Sequence, residues 1–366
     1  MKIGILTYHR AENYGALLQA YALMTYLKSL GHDVSFVDYW PKYHSNYFRL
    51  FPWQMLKNLG WVGKLVFILR LLLWGIPRFI RKKRLQGFMY EKLELSKNPL
   101  YTEKTCQTEK FDLVVYGSDQ IWRKQNLDGV GFDDWYFGSE HVLANKKIVY
   151  AGSMGAIHTT VQDDEYVQQM MRNFNKISVR EKDLQSYLDG LGVFSSLVID
   201  PVFLLSKQQW SSLIGPSNKK ENYILFYNLL NTSESKSFAN RLSKETGLPI
   251  REITKKMDFR HIGKKYICSA SVERFLQLID GAEYVVSNSF HGVAMSILFK
   301  KQFYATGMRQ KSNRVESLLQ SLGISERYEG KDVRIYTDRN INYKEIGSLL
   351  LKLSDASKNY LQHSIN

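Results

Sequence analysis

Residues Tyr284 to Leu318 read YVVSNSFHGVAMSILFKKQFYATGMRQKSNRVESL. Tyr284 to Val286 is a short apolar run of the kind that forms a buried parallel strand. Ser287 and Asn288 interrupt it. Ser289 then stands at a helix start, its hydroxyl placed to accept from the free amides of the first turn, with the helix running through Met295 to Phe299. A strand, a sharp turn and a helix in so few residues put the turn at the carboxyl edge of an open α/β sheet, where ligands bind. His291 falls in the first helical turn, beside amides and a macrodipole that favour anions. A second strand-like run, Gln302 to Ala305, leads into a cationic loop with Arg309, Lys311 and Arg314. This arrangement suits a small, highly charged anion. The same residues also fit a capping histidine and a solvated loop.

Working outward, the alternation of strand and helix recurs. Lys2 to Tyr8 reads as a strand, His9 to Ala16 as a loop, Leu17 to Leu30 as a helix ended by Gly31, and Asp33 to Tyr39 as the next strand. The loop carries Asn13, Tyr14 and Gly15 but not the GxGxxG spacing of a dinucleotide site. Phe111 to Tyr116 is a buried strand followed by Gly117-Ser118-Asp119-Gln120. Glycine permits the turn, and Asp119 reads as a cap, a base or an acceptor for sugar hydroxyls. Lys147 to Ala151 is a strand. Lys176 to Val179 is another, delivering Arg180 to its carboxyl end, where it can bind phosphate or carboxylate bidentately or pair with Glu181 or Asp183. Leu197 to Leu205 closes the first set. Gln208 to Asn222, with Gly215-Pro216, reads as a linker. Tyr223 to Leu230, Glu234 to Thr246, Leu248 to Ile253 and Val272 to Ala282 then alternate as strand, helix, strand and helix, and Tyr343 to Leu361 is a final helix. The pairs Asp133-Asp134 and Asp163-Asp164 read as surface, not as a metal site.

SNSFHGVAMSILFKKQF and the following NRVESLLQSLG resemble the carboxyl-terminal signature of the polysaccharide pyruvyl transferase family. ILTYHRAENYGALLQAYAL, FDLVVYGSDQIW, YAGSMG, SVREKDLQSYL and VIDPVFLL agree in order, so the resemblance spans roughly Ile3 to Gly323. It implies an α/β protein of two Rossmann-like domains, similar to the GT-B glycosyltransferase architecture, with a cleft between them. The expected parts are a first domain over 1–207 with a basic apolar insertion over 41–90, and a linker over 208–222. A second domain covers 223–342, and a final helix over 343–366 crosses back. The resemblance also implies ketal pyruvylation of a sugar with phosphoenolpyruvate as donor and co-substrate, and no further cofactor. Arg180, Ser289, His291, Arg309, Lys311 and Arg314 are expected on the donor side, with His291, Arg180 and Asp119 in the chemistry. Asn13, Tyr14, Gly15, Gly117, Ser118 and Gln120 are expected on the acceptor side.

A chain of 366 residues is too long for one ordinary core. Its two cysteines, Cys106 and Cys268, lack disulfide-scaffold or metal-ligand spacing and fit a reducing cytoplasm. The start, MKIGILTYHRAENYG, reads as a first strand rather than a signal peptide. The net charge of +15 is localised: no acidic residue lies between Asp38 and Glu91, while that interval holds Lys42, Arg49, Lys57, Lys64, Arg70, Arg78 and the run Arg81-Lys82-Lys83-Arg84. Asn58 to Ile80 is apolar but broken by Lys64, Arg70 and Pro77-Arg78, so it is a poor membrane span. Tyr43 to Arg84 instead suits an interfacial helix on anionic lipid at the cytoplasmic face, beside a lipid-linked saccharide acceptor; it also suits a helix packed on the first domain or in a dimer interface, its basic residues solvated. No nucleic-acid motif is present, and nucleic acid is not an expected partner. Two other readings stand: a nucleotide-sugar glycosyltransferase on the same architecture, and a non-catalytic protein of the membrane surface or of nucleic acid.

Overall fold

The computed structural model describes residues 1–47, 60–125, 131–215, 222–254, 263, 265–308, 313–328, 335 and 340–366. In chain order the strands are β1 (Lys2–Leu6), β2 (Asp33–Phe36), β3 (Asp38–Tyr39), β4 (Leu100–Tyr101), β5 (Phe111–Tyr116), β6 (Ala144–Gly152), β7 (Lys176–Val179), β8 (Ser196–Leu197), β9 (Ile224–Asn228), β10 (Ile250–Thr254), β11 (Tyr266–Ile267), β12 (Tyr284–Ser287) and β13 (Gln302–Ala305). The helices are α1 (Tyr14–Ser29), α2 (Lys42–Tyr47), α3 (Trp61–Lys92), α4 (Val161–Met171), α5 (Lys182–Gly190), α6 (Lys207–Ile214), α7 (Ser233–Thr246), α8 (Val272–Gly281), α9 (Phe290–Leu298), α10 (Asn313–Ser321) and α11 (Tyr343–Ile365).

Short apolar runs joined by helices cannot pair as hairpins and so build parallel sheets, covered on both faces. Two result. One has the order β2-β1-β5-β6-β7-β8, the other β11-β10-β9-β12-β13, and the pairings within both are parallel. In the first sheet the order reverses between β1 and β5; in the second, between β9 and β12. Such reversals open a crevice at the carboxyl ends of the strands. The register sets Leu6 beside Tyr116 and Ser287 beside Tyr227. The loops that start at Thr7 and Gly117, and the turn after Ser287, therefore leave at these reversals.

Helices α1 and α9 join the two sheets. Both bury residues all round, so their apolar side chains are not confined to one stripe. Every residue of α9 from His291 to Leu298 is buried, and α1 is buried on more than the one face expected from Leu17, Tyr21, Leu27 and Leu30. The two helices touch, and one core cluster runs from Ile3 and Ile5 through α1 and α9 to Val285 and Phe303. The last helix, α11, reaches back to residues ahead of the second sheet. Ser354 Oγ donates to the Phe203 carbonyl (2.9 Å), and Ser357 Oγ accepts from Ile199 N (3.0 Å).

Several local expectations change. Helix α1 starts at Tyr14 rather than Leu17, because Asn13 Oδ1 accepts from Gly15 N (3.3 Å) and caps it. The expected linker begins as a helix: a Ser206–Gln209 capping box starts α6 and buries Trp210, while 216–221 lie outside the described residues. Beyond Ser196–Leu197, the expected strand becomes a 3-10 turn, Pro201–Leu204, whose start is capped by Asp200 accepting from Val202 N (3.1 Å). Asp133 is not surface. It is buried and accepts from the hydroxyls of Tyr43 (2.6 Å) and Tyr39 (3.0 Å), and burial raises its pKa above the ordinary value.

Candidate active site

The loop after β5 is shaped by Gly117. Its φ of +102° is a conformation that L side chains rarely adopt, and a β-carbon there would meet the Tyr150 carbonyl oxygen at 2.5 Å. The turn buries Ser118. Its Oγ accepts from Arg180 Nη1 (2.9 Å) and donates to Asp200 Oδ2 (3.4 Å); its amide donates to Gln19 Oε1 (3.2 Å), and its carbonyl accepts from Thr7 Oγ1 (2.9 Å). Asp119 Oδ1 accepts from the amide of Gln120 (2.9 Å), so Asp119 braces its own turn, 3.7 Å from Arg180 Nη2.

Strand β7 ends at Val179 and delivers Arg180 into the same space. Arg180 Nη1 forms a short ion pair with Asp200 Oδ2, and Nε reaches Glu181 Oε1 at 3.4 Å. Nη2 is buried without a hydrogen-bond partner among the described residues. Burial opposes the Arg180 charge, but Asp200, Glu181 and Asp119 outweigh it and raise its pKa. Burial also opposes the Asp200 charge; His291, Arg180 and the Val202 amide outweigh it and hold this carboxyl below the ordinary carboxylate range. Glu181 goes the other way. Its Oε1 accepts from Ser153 Oγ (2.6 Å), but Oε2 is buried with no hydrogen-bond partner among the described residues, and burial lifts its pKa above the ordinary value despite Arg180 and Arg314. Two buried carboxyls in one network are thus pushed in opposite directions.

The opposite wall comes from the turn between β12 and α9. Asn288 Oδ1 accepts from the amides of Leu229 (2.7 Å) and Leu230 (3.2 Å), and its Nδ2 donates to Asn228 Oδ1 (3.1 Å). This ties the loop after β9 to the turn after β12. Ser289 holds the N-cap position of α9, but its hydroxyl caps nothing; its amide instead donates to Ser287 Oγ (3.1 Å). The expected cap is absent, and the first-turn amides keep their capacity for an anion. His291, in that turn, is buried. Its Nε2 lies 3.6 Å from Asp200 Oδ2, too long for a hydrogen bond, and has no hydrogen-bond partner among the described residues.

Helix α10 brings Arg314 to the mouth of the site. Its Nε lies 3.6 Å from Glu181 Oε1, and Arg180 and Arg314 each sit 5.6 Å from the ring centroid of Phe290. A cavity of about 100 Å³ lies here, lined by Arg180, Asp200, Phe290, Arg314, Leu318 and Ser357 among others. A smaller recess beside it is lined by Gln120, Glu181, Asp183, Asn313 and Arg314. Arg309 and Lys311 lie outside the described residues.

The structure thus gathers Arg180, Ser118, Asp119, Gln120, Ser289, His291 and Arg314 with the capped start of α1 at Asn13 and Gly15. Tyr14 does not join them. It is 1% exposed, its hydroxyl donates to the Ala270 carbonyl (2.8 Å), and its ring stacks on Phe275 with centroids 4.5 Å apart. Burial, rather than a cleft-facing position, is its environment. In sequence Glu181 reads only as a surface partner of Arg180, and Asp200 only as a residue inside the expected Leu197 to Leu205 strand. Their position directly after β7 and before Pro201 was the available signal. Among the described residues no cluster of three or more His, Cys, Asp or Glu could hold a metal ion.

The profile of the family described as Polysaccharide pyruvyl transferase matches residues 13–308 of the chain. No curated protein matches the sequence. Similar solved structures include the E. coli heptosyltransferase WaaC with ADP-2-deoxy-2-fluoro heptose, at 10% identity and a TM-score of 0.36, covering 83% of this chain and 88% of that one. Another is the UDP-GlcNAc 2-epimerase of Methanocaldococcus jannaschii, at 10% identity and a TM-score of 0.44, covering 96% of this chain and 92% of that one. A third is the UDP-N-acetylglucosamine 2-epimerase of Rickettsia bellii, at 12% identity and a TM-score of 0.39, covering 98% and 97%.

Proposed function

The chain belongs to the polysaccharide pyruvyl transferase family, and from that premise we propose that it moves pyruvate from phosphoenolpyruvate onto two hydroxyls of a saccharide, forming a ketal and releasing phosphate. The observation that carries this reading is a pair of buried, unpartnered nitrogens, Arg180 Nη2 and His291 Nε2, beside a helix start with no side-chain cap. Buried polar atoms without partners are costly; a bound anion would satisfy Arg180 Nη2, and a saccharide hydroxyl donating to the imidazole would satisfy His291 Nε2.

Phosphoenolpyruvate carries a carboxylate and a phosphate on one carbon. Arg180 and Arg314 hold these groups from the first sheet and from α10, and the first-turn amides of α9 supply further donors. The methylene carbon takes a proton from the Glu181 carboxyl, which burial favours in its neutral form. The adjacent carbon becomes electrophilic and a sugar hydroxyl adds to it, giving its proton to His291 Nε2. The carbon–oxygen bond to phosphate then breaks, and the second hydroxyl adds to the same carbon. Of the two hydroxyl protons, one replaces the proton that went to the methyl group and the other leaves with phosphate. Asp200 stabilises the protonated imidazole from 3.6 Å. General acid–base help of this kind is typically worth about 10²–10⁴-fold. The acceptor lies against the first-sheet loops at Asn13, Asp119 and Gln120.

Incubating the protein with phosphoenolpyruvate and a panel of free and lipid-linked saccharides tests the proposal. Phosphate release together with a pyruvyl ketal in the product mass is the expected result. Turnover of nucleotide sugars instead, with no phosphate released from phosphoenolpyruvate, would overturn it.

A further inference from the structure

Helix α3 changes the side on which its apolar residues lie. In its last third, Leu85, Phe88 and Met89 are buried, and Phe88 packs against Tyr21 of α1 with ring centroids 5.8 Å apart. Ahead of them the pattern inverts. Trp61, Val62, Leu65, Leu69, Ile76 and Phe79 are exposed, from 49% for Phe79 to 79% for Trp61. At about 100° per residue these six share an arc on the side of the helix opposite Leu85, Phe88 and Met89. The stripe is roughly 30 Å long at about 1.5 Å per residue, and nothing among the described residues covers it.

The basic residues divide in two. Arg81 lies over the Tyr14 ring at 5.3 Å, Lys82 pairs with Glu12 at 2.9 Å, and Arg84 Nη1 donates to the Ser269 carbonyl (2.6 Å). Arg81 and Lys82 are half-buried against the body of the protein, and Arg84, itself exposed, spends one guanidinium nitrogen there, so the Arg81–Arg84 run is not wholly free to meet lipid. Lys64, Arg78 and Lys83 are exposed. Arg49 and Lys57 lie outside the described residues, as does the side chain of Arg70.

We infer that Trp61–Ile80 lies in the interfacial layer of an anionic bilayer, its apolar stripe inserted and Lys64, Arg78 and Lys83 on the headgroups. Charge selects this occupant. No acidic residue occurs between Asp38 and Glu91, so a second copy of this chain, itself at +15, would set like charges against each other. An anionic surface complements them. The helix does not cross the bilayer: among the described residues no helix is long and apolar enough to do so. Docking also orients the candidate site, because Lys82 holds Glu12 and Arg81 covers Tyr14, on either side of the cap residue Asn13. The inference does not depend on the donor chemistry, since binding requires no turnover.

Vesicle flotation tests it. The intact protein should float with mixed phosphatidylglycerol–phosphatidylcholine vesicles at low salt and not with phosphatidylcholine alone, and added salt should release it. The exposed-site variant Leu65→Glu/Ile76→Glu should bind at least about tenfold more weakly while keeping wild-type circular dichroism and wild-type phosphate release on a water-soluble acceptor. No flotation of the wild-type protein at low salt would overturn the inference. So would undiminished flotation of the folded variant, or a dimer in sedimentation equilibrium that the same substitutions dissolve. A protein that floats as expected yet fails to use phosphoenolpyruvate would remove the proposed chemistry and leave the docking standing.

Discussion

His291 packs the Nδ1 edge of its ring against Gly15, so closely that a β-carbon at position 15 would lie 2.1 Å from that nitrogen. The start of α1 and the start of α9 are thereby held face to face, one from each half of the chain. Gly15 is in a helix, where alanine is favoured over glycine by roughly 0.5–1 kcal/mol. Gly15→Ala should therefore leave α1 intact and displace the imidazole. A shift of this size is expected to lower kcat by about 10²-fold or more. His291→Ala should do the same, and the two together should cost little beyond either alone. Steady-state phosphate release and melting curves on the three variants check this. Wild-type turnover by Gly15→Ala would show that the contact does not position the histidine.

Arg180 and Asp200 form the most buried ion pair of the site. Removing the cation alone strands a carboxylate away from water, at a cost of about 3–5 kcal/mol. Arg180→Ala should lower the urea midpoint accordingly and raise the KM for phosphoenolpyruvate. Adding Asp200→Asn should restore part of the stability but none of the donor affinity, which separates the two roles of Arg180. The pKa of Asp200 is depressed in the fold, so its contribution to stability is present above the ordinary aspartate range and lost as pH falls through the folded value. The double variant should lack that acid-induced loss. Equal stability of the single and double variants would remove the argument.

Glu181 carries the opposite shift. A carboxyl raised by burial binds its proton in the fold more tightly than in the unfolded chain. Stability therefore declines as pH rises from the ordinary glutamate value toward the folded one. If the neutral form is the proton donor, kcat also falls as pH rises through that value. Glu181→Gln keeps the shape without the proton. It should lower kcat by about 10²–10⁴-fold, flatten the alkaline limb of the profile, and leave the melting temperature unchanged or higher. A full pH–rate profile of both forms is the measurement. An unchanged limb in Glu181→Gln would assign the proton to another group.

Strands such as Phe111–Tyr116 and Gln302–Ala305 are legible residue by residue, because each is an apolar run ended by turn residues. The turn-borne residues Arg180 and His291 follow from the same pattern, since a strand's carboxyl end fixes where its next residue goes. What the pattern hides is who meets whom. Nothing local in ENYGALL says that Gly15 touches a histidine far along the chain. Nor does local sequence say that the Ser289 hydroxyl would leave the helix start uncapped while Ser287 takes its amide. Glu181 and Asp200 carry ordinary surface-residue identities, and only the convergence of β7, the turn at Pro201 and α10 buries them. Asp133 misled for the same reason: its partners Tyr39 and Tyr43 lie far away in sequence.

Tyr14 separates packing from recognition most directly. Sequence put it on the acceptor side, whereas its ring stacks on Phe275, lies under Arg81, and spends its hydroxyl on the Ala270 carbonyl. Those partners come from α3, α8 and Ala270, two residues ahead of α8, so the ring is a seam between the two halves. Tyr14→Phe keeps the stack and deletes one hydrogen bond, which should cost about 1 kcal/mol, rising toward 3 if the carbonyl stays buried and unpaired. Tyr14→Ala also removes the ring and should cost about 3–5 kcal/mol. In both, the loss should appear in the urea midpoint, and Tyr14→Phe should leave the acceptor KM at the wild-type value. A Tyr14→Phe protein with an unchanged midpoint and a several-fold higher acceptor KM would place the hydroxyl on the sugar instead of on the seam.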